Sequence, residues 1–176
     1  LGLMARTIYN APIKKVSFTL YNSFAQTGKG HGTDKGLLAG IMGCHVDDVR
    51  TKNIFSITDI EYEFHFAEDL SRHPNSVDIK INDDMMISGC SIGAGEIRIT
   101  EINGFSVNLA GQYHTILLMY KDKPGMISTV SKFVQDRNIN IASLHCDRNE
   151  KGGVASMYLA LDAEPQEEIV DDIKNI

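Results

Sequence analysis

Apolar and polar residues alternate with a period of two over several stretches of the first two thirds of the chain. These stretches are residues 14–24, 60–66, 77–81, 85–92, 96–102 and 105–109. Such alternation is typical of strands that bury one face. Short turns separate the last four stretches, and Asn103-Gly104 is the strongest hairpin signal among them. The pattern predicts an α+β fold whose first part is built on a mixed or antiparallel sheet.

A glycine-rich segment follows the first predicted strand and precedes a predicted helix. It consists of Gly28, Lys29, Gly30, His31, Gly32, Thr33, Asp34 and Lys35. Apolar residues at positions 37, 38, 41 and 42 have helical spacing, and Gly43 stands where a left-handed helix stop is expected. We expect Thr33 or Asp34 to cap this helix. Alternating glycines, a helix N-terminus and basic side chains favour a site for a small anion, either a carboxylate or a phosphate.

The alternative for this segment is a flexible turn that only feeds a capped helix, since glycine-rich turns are common. Its spacing is not that of a P-loop, because no Gly-Lys-Ser/Thr ends it. It is not the dinucleotide fingerprint either, because the third glycine stands one position too early. The residues alone leave the anion site and the simple turn both open.

The last third of the chain has a different order of elements, with a boundary expected at residues 110–112. Strands are predicted at residues 113–120, 139–146 and 154–161, and helices after Pro124 and at residues 166–173. Pro124 suits the first turn of its helix. We therefore predict two domains, residues 1–110 and 113–176.

Composition excludes several classes of function. The 176 residues carry a net charge of −6, and 43% of them are hydrophobic. No basic run suggests nucleic-acid binding, no apolar stretch has the length of a membrane span, and the first residues lack a signal-peptide layout. We expect a cytoplasmic protein with no nucleic-acid or membrane partner.

Three isolated cysteines and one pair of aspartates are the remaining candidates for chemistry. Cys44, Cys90 and Cys146 lack the spacing of metal ligands, so we expect ordinary, mostly buried thiols. Asp47 and Asp48 suggest either a metal or acid–base site or a solvated turn, and the turn is favoured. No metal site and no catalytic residue is predicted on this chain.

The glycine-rich segment in its context resembles a known family. Residues 21–43 read YNSFAQTGKGHGTDKGLLAGIMG, and DDVR follows at residues 47–50. This string resembles the beta chain of the iron–sulfur-dependent L-serine dehydratase, or L-serine ammonia-lyase. The resemblance implies conversion of L-serine to pyruvate and ammonia, with a 4Fe–4S cluster on a separate catalytic alpha chain. The loop would either line the active site at the interface with that chain or form a separate effector site.

The last third resembles an ACT domain, a ferredoxin-like regulatory module whose usual order is βαββαβ. Residues 122–127 read DKPGMI, and residues 138–143 read NINIAS. The resemblance implies that an amino acid such as L-serine binds at a loop, often across a subunit interface, and that this chain pairs as a homodimer. The residues carried over are Asp122, Pro124, Gly125, Met126, Asn138 and Ile139.

The resemblance also sets expectations about the chain ends. The closing ACT strand is missing from the predicted order, and the serine-rich segment that begins the family's beta chain does not precede Leu1. We therefore expect a longer natural chain and no activity from this polypeptide alone. The alternative function is a stand-alone amino-acid-sensing module of a biosynthetic enzyme such as 3-phosphoglycerate dehydrogenase. The glycine-rich string favours the lyase subunit.

Overall fold

The computed structural model describes residues 1–165 and residue 173. The chain divides into two compact units, Leu1–Ala110 and Gly111–Ile176. Helices and sheets are present in an α+β arrangement, which confirms the predicted fold class. Within the described residues, no helix has the length and apolar character needed to cross a membrane.

The first unit combines short helices with a mixed sheet. Its helices are α1 (Gly2–Tyr9), α2 (Asn22–Thr27), α3 (Thr33–Ile41) and α4 (Ile54–Ile57), with a 3₁₀ helix at Val49–Asn53. Its strands are β1 (Lys15–Tyr21), β2 (Glu61–Ala67), β3 (Ser76–Ile81), β4 (Met85–Gly93), β5 (Glu96–Ile102) and β6 (Phe105–Leu109).

Six strands of the described chain form this sheet in the order β2-β1-β3-β4-β5-β6. β1 pairs with β2 in parallel, and every other neighbouring pair is antiparallel. Alternate residues of β1 (Val16, Phe18 and Leu20) are completely buried. The predicted alternation is therefore confirmed, and one face of the sheet carries the core of the unit.

Helices α1 and α3 pack against each other through two glycines. A Cβ atom on Gly2 would overlap with the carbonyl oxygen of Leu37, and one on Gly40 would overlap with the backbone nitrogen of Leu3. The two backbones approach so closely that no larger side chain fits between them. Arg6 of α1 adds a hydrogen bond between the two helices, because its Nη1 donates to the carbonyl oxygen of Ile41 at 2.9 Å.

The prediction of one strand over residues 14–24 was wrong in its last part. β1 ends at Tyr21, and Phe24, which was expected to continue the buried face of that strand, lies in α2. The reason is Asn22, whose φ angle of 50° leaves the extended region. Its side chain donates to the carbonyl oxygen of Asp69 and accepts from the Asp69 amide, both at 2.8 Å. Two contacts distant in sequence therefore turn the chain into a helix.

The hairpin predicted at Asn103-Gly104 is confirmed between β5 and β6. The φ angles of these two residues are 49° and 82°, the left-handed pair that a tight turn of this type requires.

The second unit packs one described helix on one sheet. Its elements are β7 (His114–Lys121), α5 (Met126–Gln135), β8 (Ile141–Arg148) and β9 (Val154–Leu161). Within the described residues the sheet has three antiparallel strands in the order β7-β9-β8. Val130 and Val134 of α5 are fully buried against Met157 and Leu159 of the central strand.

The two helices predicted for this unit begin after Pro124 and at residue 166. Pro124 is not in the first turn of α5: Gly125 is the N-cap residue, with φ at 91°, so Pro124 precedes the helix. Because Gly125 adopts a left-handed conformation, the helix begins only at Met126. The helix predicted at residues 166–173 lies outside the described residues except for Ile173, which is helical and 7% exposed.

Candidate functional site

The glycine-rich segment connects α2 to α3, and so it does not follow a strand directly as predicted. Within it, the amides of Gly28, His31, Gly32 and Thr33 donate to backbone carbonyl oxygens at 2.8–3.4 Å. These bonds hold a compact double turn, and they occupy donors that a bound anion would otherwise use. Lys29, Gly30 and His31 are exposed. The segment therefore offers mainly its side chains.

The expected capping of α3 by Thr33 or Asp34 is wrong. Gly32 is the N-cap residue with φ at 72°, and no side chain caps the helix. Asp34 lies in the first turn, where its Oδ1 accepts from the Lys35 amide at 2.8 Å. A carboxylate there already interacts favourably with the positive end of the helix. This geometry favours contact with an anion through Lys29, His31 and Lys35 rather than through the helix terminus.

The polar segment after α3 is held together by an ion pair. Asp48 accepts from Arg50 Nη2 at 2.6 Å, from Arg50 Nε at 3.0 Å and from the Arg50 amide at 2.9 Å. These hydrogen bonds from Arg50 lower the pKa of Asp48 to about 2. Asp48 also caps the 3₁₀ helix at Val49–Asn53, while Asp47 is exposed. Asp48, the member of this pair with hydrogen-bond partners, therefore has a structural role.

A cavity of about 740 Å³ opens beside the N-terminus of α5. Residues that line it include Tyr120, Asp122, Gly125, Met126, Cys146 and Arg148. Asp122, Pro124, Gly125 and Met126 were predicted from sequence as a ligand loop, and the structure brings them together around this cavity.

Arg148 and Gly152 hold the Asp122 carboxylate in place. Asp122 Oδ2 accepts from the Gly152 amide and from Arg148 Nη1, each at 3.0 Å. The Gly152 amide and then the Arg148 guanidinium lower the pKa of Asp122 below its usual value. Burial raises the pKa of Cys146, which contacts Tyr120 on the same wall. The cavity thus presents a cationic and an anionic side chain beside an apolar floor.

Tyr120, Cys146 and Arg148 were not predicted from the sequence. Tyr120 and Arg148 both pair with Ala155 of the central strand, so Tyr120, Ala155 and Arg148 form one row across the sheet. The order of the ACT elements, with β9 between β7 and β8, is the signal that could have found them.

Asn138 and Ile139, the other predicted ligand residues, lie away from this cavity. They follow the C-terminal end of α5, where their amides donate to the carbonyl oxygens of Gln135 and Val134. A helix of 10 residues is about 15 Å long, so the two ends of α5 are well separated. Within one chain, the structure does not bring them together with Asp122.

The three cysteines are divided between the two units. Cys44 and Cys90 are buried, and Cys146 is half-buried in the second unit. Among the described residues, no group of three or more His, Cys, Asp or Glu side chains is arranged to hold a metal ion. The side chains described here therefore do not fit an iron–sulfur cluster.

Comparisons with known families match both units. The family of the serine dehydratase beta chain matches residues 3–87, and the ACT domain family matches residues 114–176.

Individual relatives agree with these matches. The chain is 32% identical to the probable L-serine dehydratase beta chain of Bacillus subtilis, over 100% of this chain and 83% of that one. It is 35% identical to the L-serine dehydratase beta chain of Peptoniphilus asaccharolyticus, over 90% of this chain and 75% of that one. D-3-phosphoglycerate dehydrogenase of Bacillus subtilis is 26% identical over all of this chain, which spans 35% of that enzyme.

Proposed function

The chain belongs to the family of serine dehydratase beta chains and contains an ACT domain, and from this we propose that it is the beta subunit of an L-serine dehydratase. The reaction is the conversion of L-serine to pyruvate and ammonia. The observation that carries the proposal is the similarity to two named beta chains, which extends over 83% and 75% of their lengths.

A beta subunit needs a partner, and we assign the catalytic centre to an alpha chain. The 4Fe–4S cluster that the family resemblance implies belongs on that chain in this proposal. The supporting observation is that Cys44, Cys90 and Cys146 of this one are far apart in sequence and divided between its two units. Residues 1–176 by themselves are then expected to be inactive.

The glycine-rich segment is the part that we propose meets the alpha chain. Its exposed Lys29 and His31 stand on a turn whose shape is held by its own backbone hydrogen bonds. Such a turn carries charge to a partner surface without having to become ordered first. The basic side chains suit the carboxylate of the substrate at the interface between the chains, or of an effector that controls activity.

The second unit is proposed to bind an amino acid that regulates the enzyme. The cavity beside α5 combines Arg148 with the helix N-terminus for a carboxylate, and Asp122 and Asp147 for an ammonium group. Exposed Met119 and Val154 on its sheet suit pairing with a second copy of the chain. We therefore propose a homodimer in which this unit is the regulatory part.

The test is anaerobic pyruvate formation from L-serine by the cluster-bearing alpha chain. The alpha chain is assayed alone, with the full-length beta chain, and with a full-length K29A/H31A variant. We expect activity only with the beta chain, and a loss of about tenfold or more in the variant. The matched control is K52A/H65A, which removes one exposed lysine and one exposed histidine outside the segment.

An alpha chain that is fully active alone would contradict the lyase-subunit proposal. The amino-acid-sensing module would then be the better account, since this chain is also 26% identical over its whole length to two D-3-phosphoglycerate dehydrogenases. Full activity of the K29A/H31A variant would show that the segment contributes neither to catalysis nor to activation. The assignment of the chain as a beta subunit would still stand.

A further inference from the structure

Arg72 is anchored over the open face of the first sheet. It lies in the connection between β2 and β3, and its Nη1 donates to Asp78 Oδ1 at 2.7 Å. Its Nε donates to Asp69 Oδ2 at 3.2 Å, and its guanidinium carbon lies 4.3 Å from the centre of the Tyr21 ring. Tyr21 in turn donates to Asp78 Oδ2 at 2.8 Å. The guanidinium is therefore held in one orientation before any ligand arrives.

A small polar cavity of about 230 Å³ lies beside this anchored side chain. Its walls and floor include Arg72, His73, Ser76, Ser88, Cys90 and Glu101. Ser76 and Ser88 are each 7% exposed, although they occupy the face of the sheet opposite to the buried Val77 and Ile87. The connection that carries Arg72 and His73 covers them. The cavity therefore lies between this loop and three strands of the sheet, and it opens to solvent beside the exposed His73 and Glu101.

The hydroxyl groups of this cavity have already used their hydrogens. Ser76 Oγ donates to the carbonyl oxygen of His73 at 2.8 Å, and Ser88 Oγ donates to Asp78 Oδ1 at 2.6 Å. Thr100 Oγ1 donates to the carbonyl oxygen of Ser88 at 3.3 Å. A hydroxyl has one hydrogen and two lone pairs, so these oxygens offer only acceptors to a ligand. The floor of the cavity therefore suits a group rich in donors.

Opposite charges stand on opposite sides of the cavity. Asp78, which anchors Arg72, pairs with Ser88, and Ser88 pairs with Glu101 on the next strand. The backbone positions of Asp78 and Glu101 are thus two strand spacings apart, about 10 Å. Among the described residues, the hydrogen bonds of Arg72 use Nε and Nη1, which leaves Nη2 as a donor. A ligand with a carboxylate and an ammonium on one carbon offers a partner for each of these charges, because Arg72 and Glu101 line the same cavity.

We propose that this cavity binds a small α-amino acid of the size of L-serine or glycine. The carboxylate of the ligand lies on Arg72, and its ammonium group lies against Glu101 and the hydroxyl oxygens. The volume of about 230 Å³, roughly that of eight water molecules in the liquid, accommodates a ligand of this size. This site is separate from the cavity beside α5. It uses only residues of the first unit and does not depend on the proposed lyase function.

The test is a titration of the isotope-labelled chain, residues 1–176, followed by amide NMR. L-Serine is expected to shift the amide signals of Ser88, Gly89 and Thr100 in a saturable way. Glycolate lacks the ammonium group and ethanolamine lacks the carboxylate, so each is expected to bind at least about tenfold more weakly. Signals of Met126, Ile127 and Ser128 report separately on the cavity beside α5.

Two glutamates of the same strand provide matched variants. Glu101→Gln keeps the shape of the side chain and is expected to weaken L-serine binding about tenfold at the Ser88 and Gly89 signals. Glu96→Gln removes another exposed carboxylate, at the start of β5, that does not line the cavity, and no change is expected.

Shifts confined to residues 126–128, equal binding of L-serine by wild type and Glu101→Gln, or equal binding of ethanolamine and L-serine would each overturn the proposal. The pyruvate assay is independent of this outcome. Binding at Ser88 with an inactive assembled enzyme would refute only the lyase function, and an active enzyme without these shifts would refute only the amino-acid site.

Discussion

Arg148 Nη1 lies 3.0 Å from Asp122 Oδ2, and this ion pair joins the end of β8 to the loop that precedes α5. The Gly152 amide donates to the same oxygen, so the β8–β9 turn is tied to that loop as well. One wall of the cavity beside α5 is therefore made of segments that lie about 26 residues apart in sequence.

Arg148→Gln is expected to raise the pKa of Asp122 toward its ordinary value without reaching it. The variant removes the guanidinium, while the Gly152 amide, which lowers the pKa most, still donates. The measurement is an NMR titration of the Asp122 carboxyl carbon. Lys151→Gln is the control, since this exposed lysine lies on the same turn and is not a partner of Asp122. An unchanged Asp122 pKa in Arg148→Gln would show that the ion pair is absent in solution.

Asp48→Asn is expected to destabilise the protein at neutral pH but not in acid. The pKa of Asp48 is lowered from 3.8 to about 2 in the folded chain by its hydrogen bonds from Arg50. A carboxyl with a lowered pKa stabilises the fold at pH values above its unfolded pKa, and this contribution disappears as pH falls through the folded pKa. The difference in Tm between wild type and Asp48→Asn should therefore be constant above about pH 5, fall as the pH is lowered, and vanish only below about pH 2.

Asp47→Asn serves as the control for this pH dependence, because Asp47 is an exposed neighbour. Its Tm is expected to follow that of the wild type across the same range. A difference for Asp48→Asn that persists unchanged at the acid end would argue that packing, and not the charge, accounts for it.

Two glycines of α3 are expected to respond to alanine in opposite directions. Gly40→Ala places a Cβ against the backbone of Leu3 and 2.7 Å from the carbonyl carbon of Gly2, so the free energy of unfolding should fall by about 1–3 kcal/mol. Gly36→Ala meets no atom within 4 Å and should raise it by about 0.5–1 kcal/mol, through helix propensity. Denaturant unfolding measures both. Equal effects of the two substitutions would rule out close packing of α1 on α3.

Asn22→Ala is expected to destabilise the first unit by about 2–3 kcal/mol, because it removes both hydrogen bonds to Asp69 and leaves a positive φ angle without glycine or asparagine. Asn22→Gly should cost about 1 kcal/mol less, since glycine adopts this conformation freely. Denaturant unfolding compares the two variants. If alanine and glycine proved equivalent, backbone strain at this position would not be the cause.

Local patterns predicted most strands correctly because one buried face leaves a period of two in the sequence. The fully buried Val16, Phe18 and Leu20 show this period for β1. A different local signal, the left-handed pair Asn103-Gly104, marks the last hairpin of the first unit. The positions where prediction failed are those governed by distant partners. Asn22 ends β1 through Asp69, and no pattern between residues 14 and 24 contains that information.

The residues of the candidate sites also fall into two groups, those that local sequence marks and those that only distant contacts bring in. Glycines, basic residues and Pro124-Gly125 mark the two loops in the sequence, since special backbone conformations need special residues. Tyr120 and Arg148 join Asp122 only through the pairing of both outer strands with β9, and Arg72 meets Asp78 only because a loop folds over the sheet.

The sequence by itself determined the fold class, the family and the loops that carry the candidate chemistry, because these depend on residue type and local spacing. The tertiary structure decided the parallel pairing of β1 with β2, the separation of Asn138 and Ile139 from the cavity beside α5, and the small polar cavity at Arg72. The physical reason is that strand order and side-chain contacts across the sheets depend on packing between residues far apart in the chain.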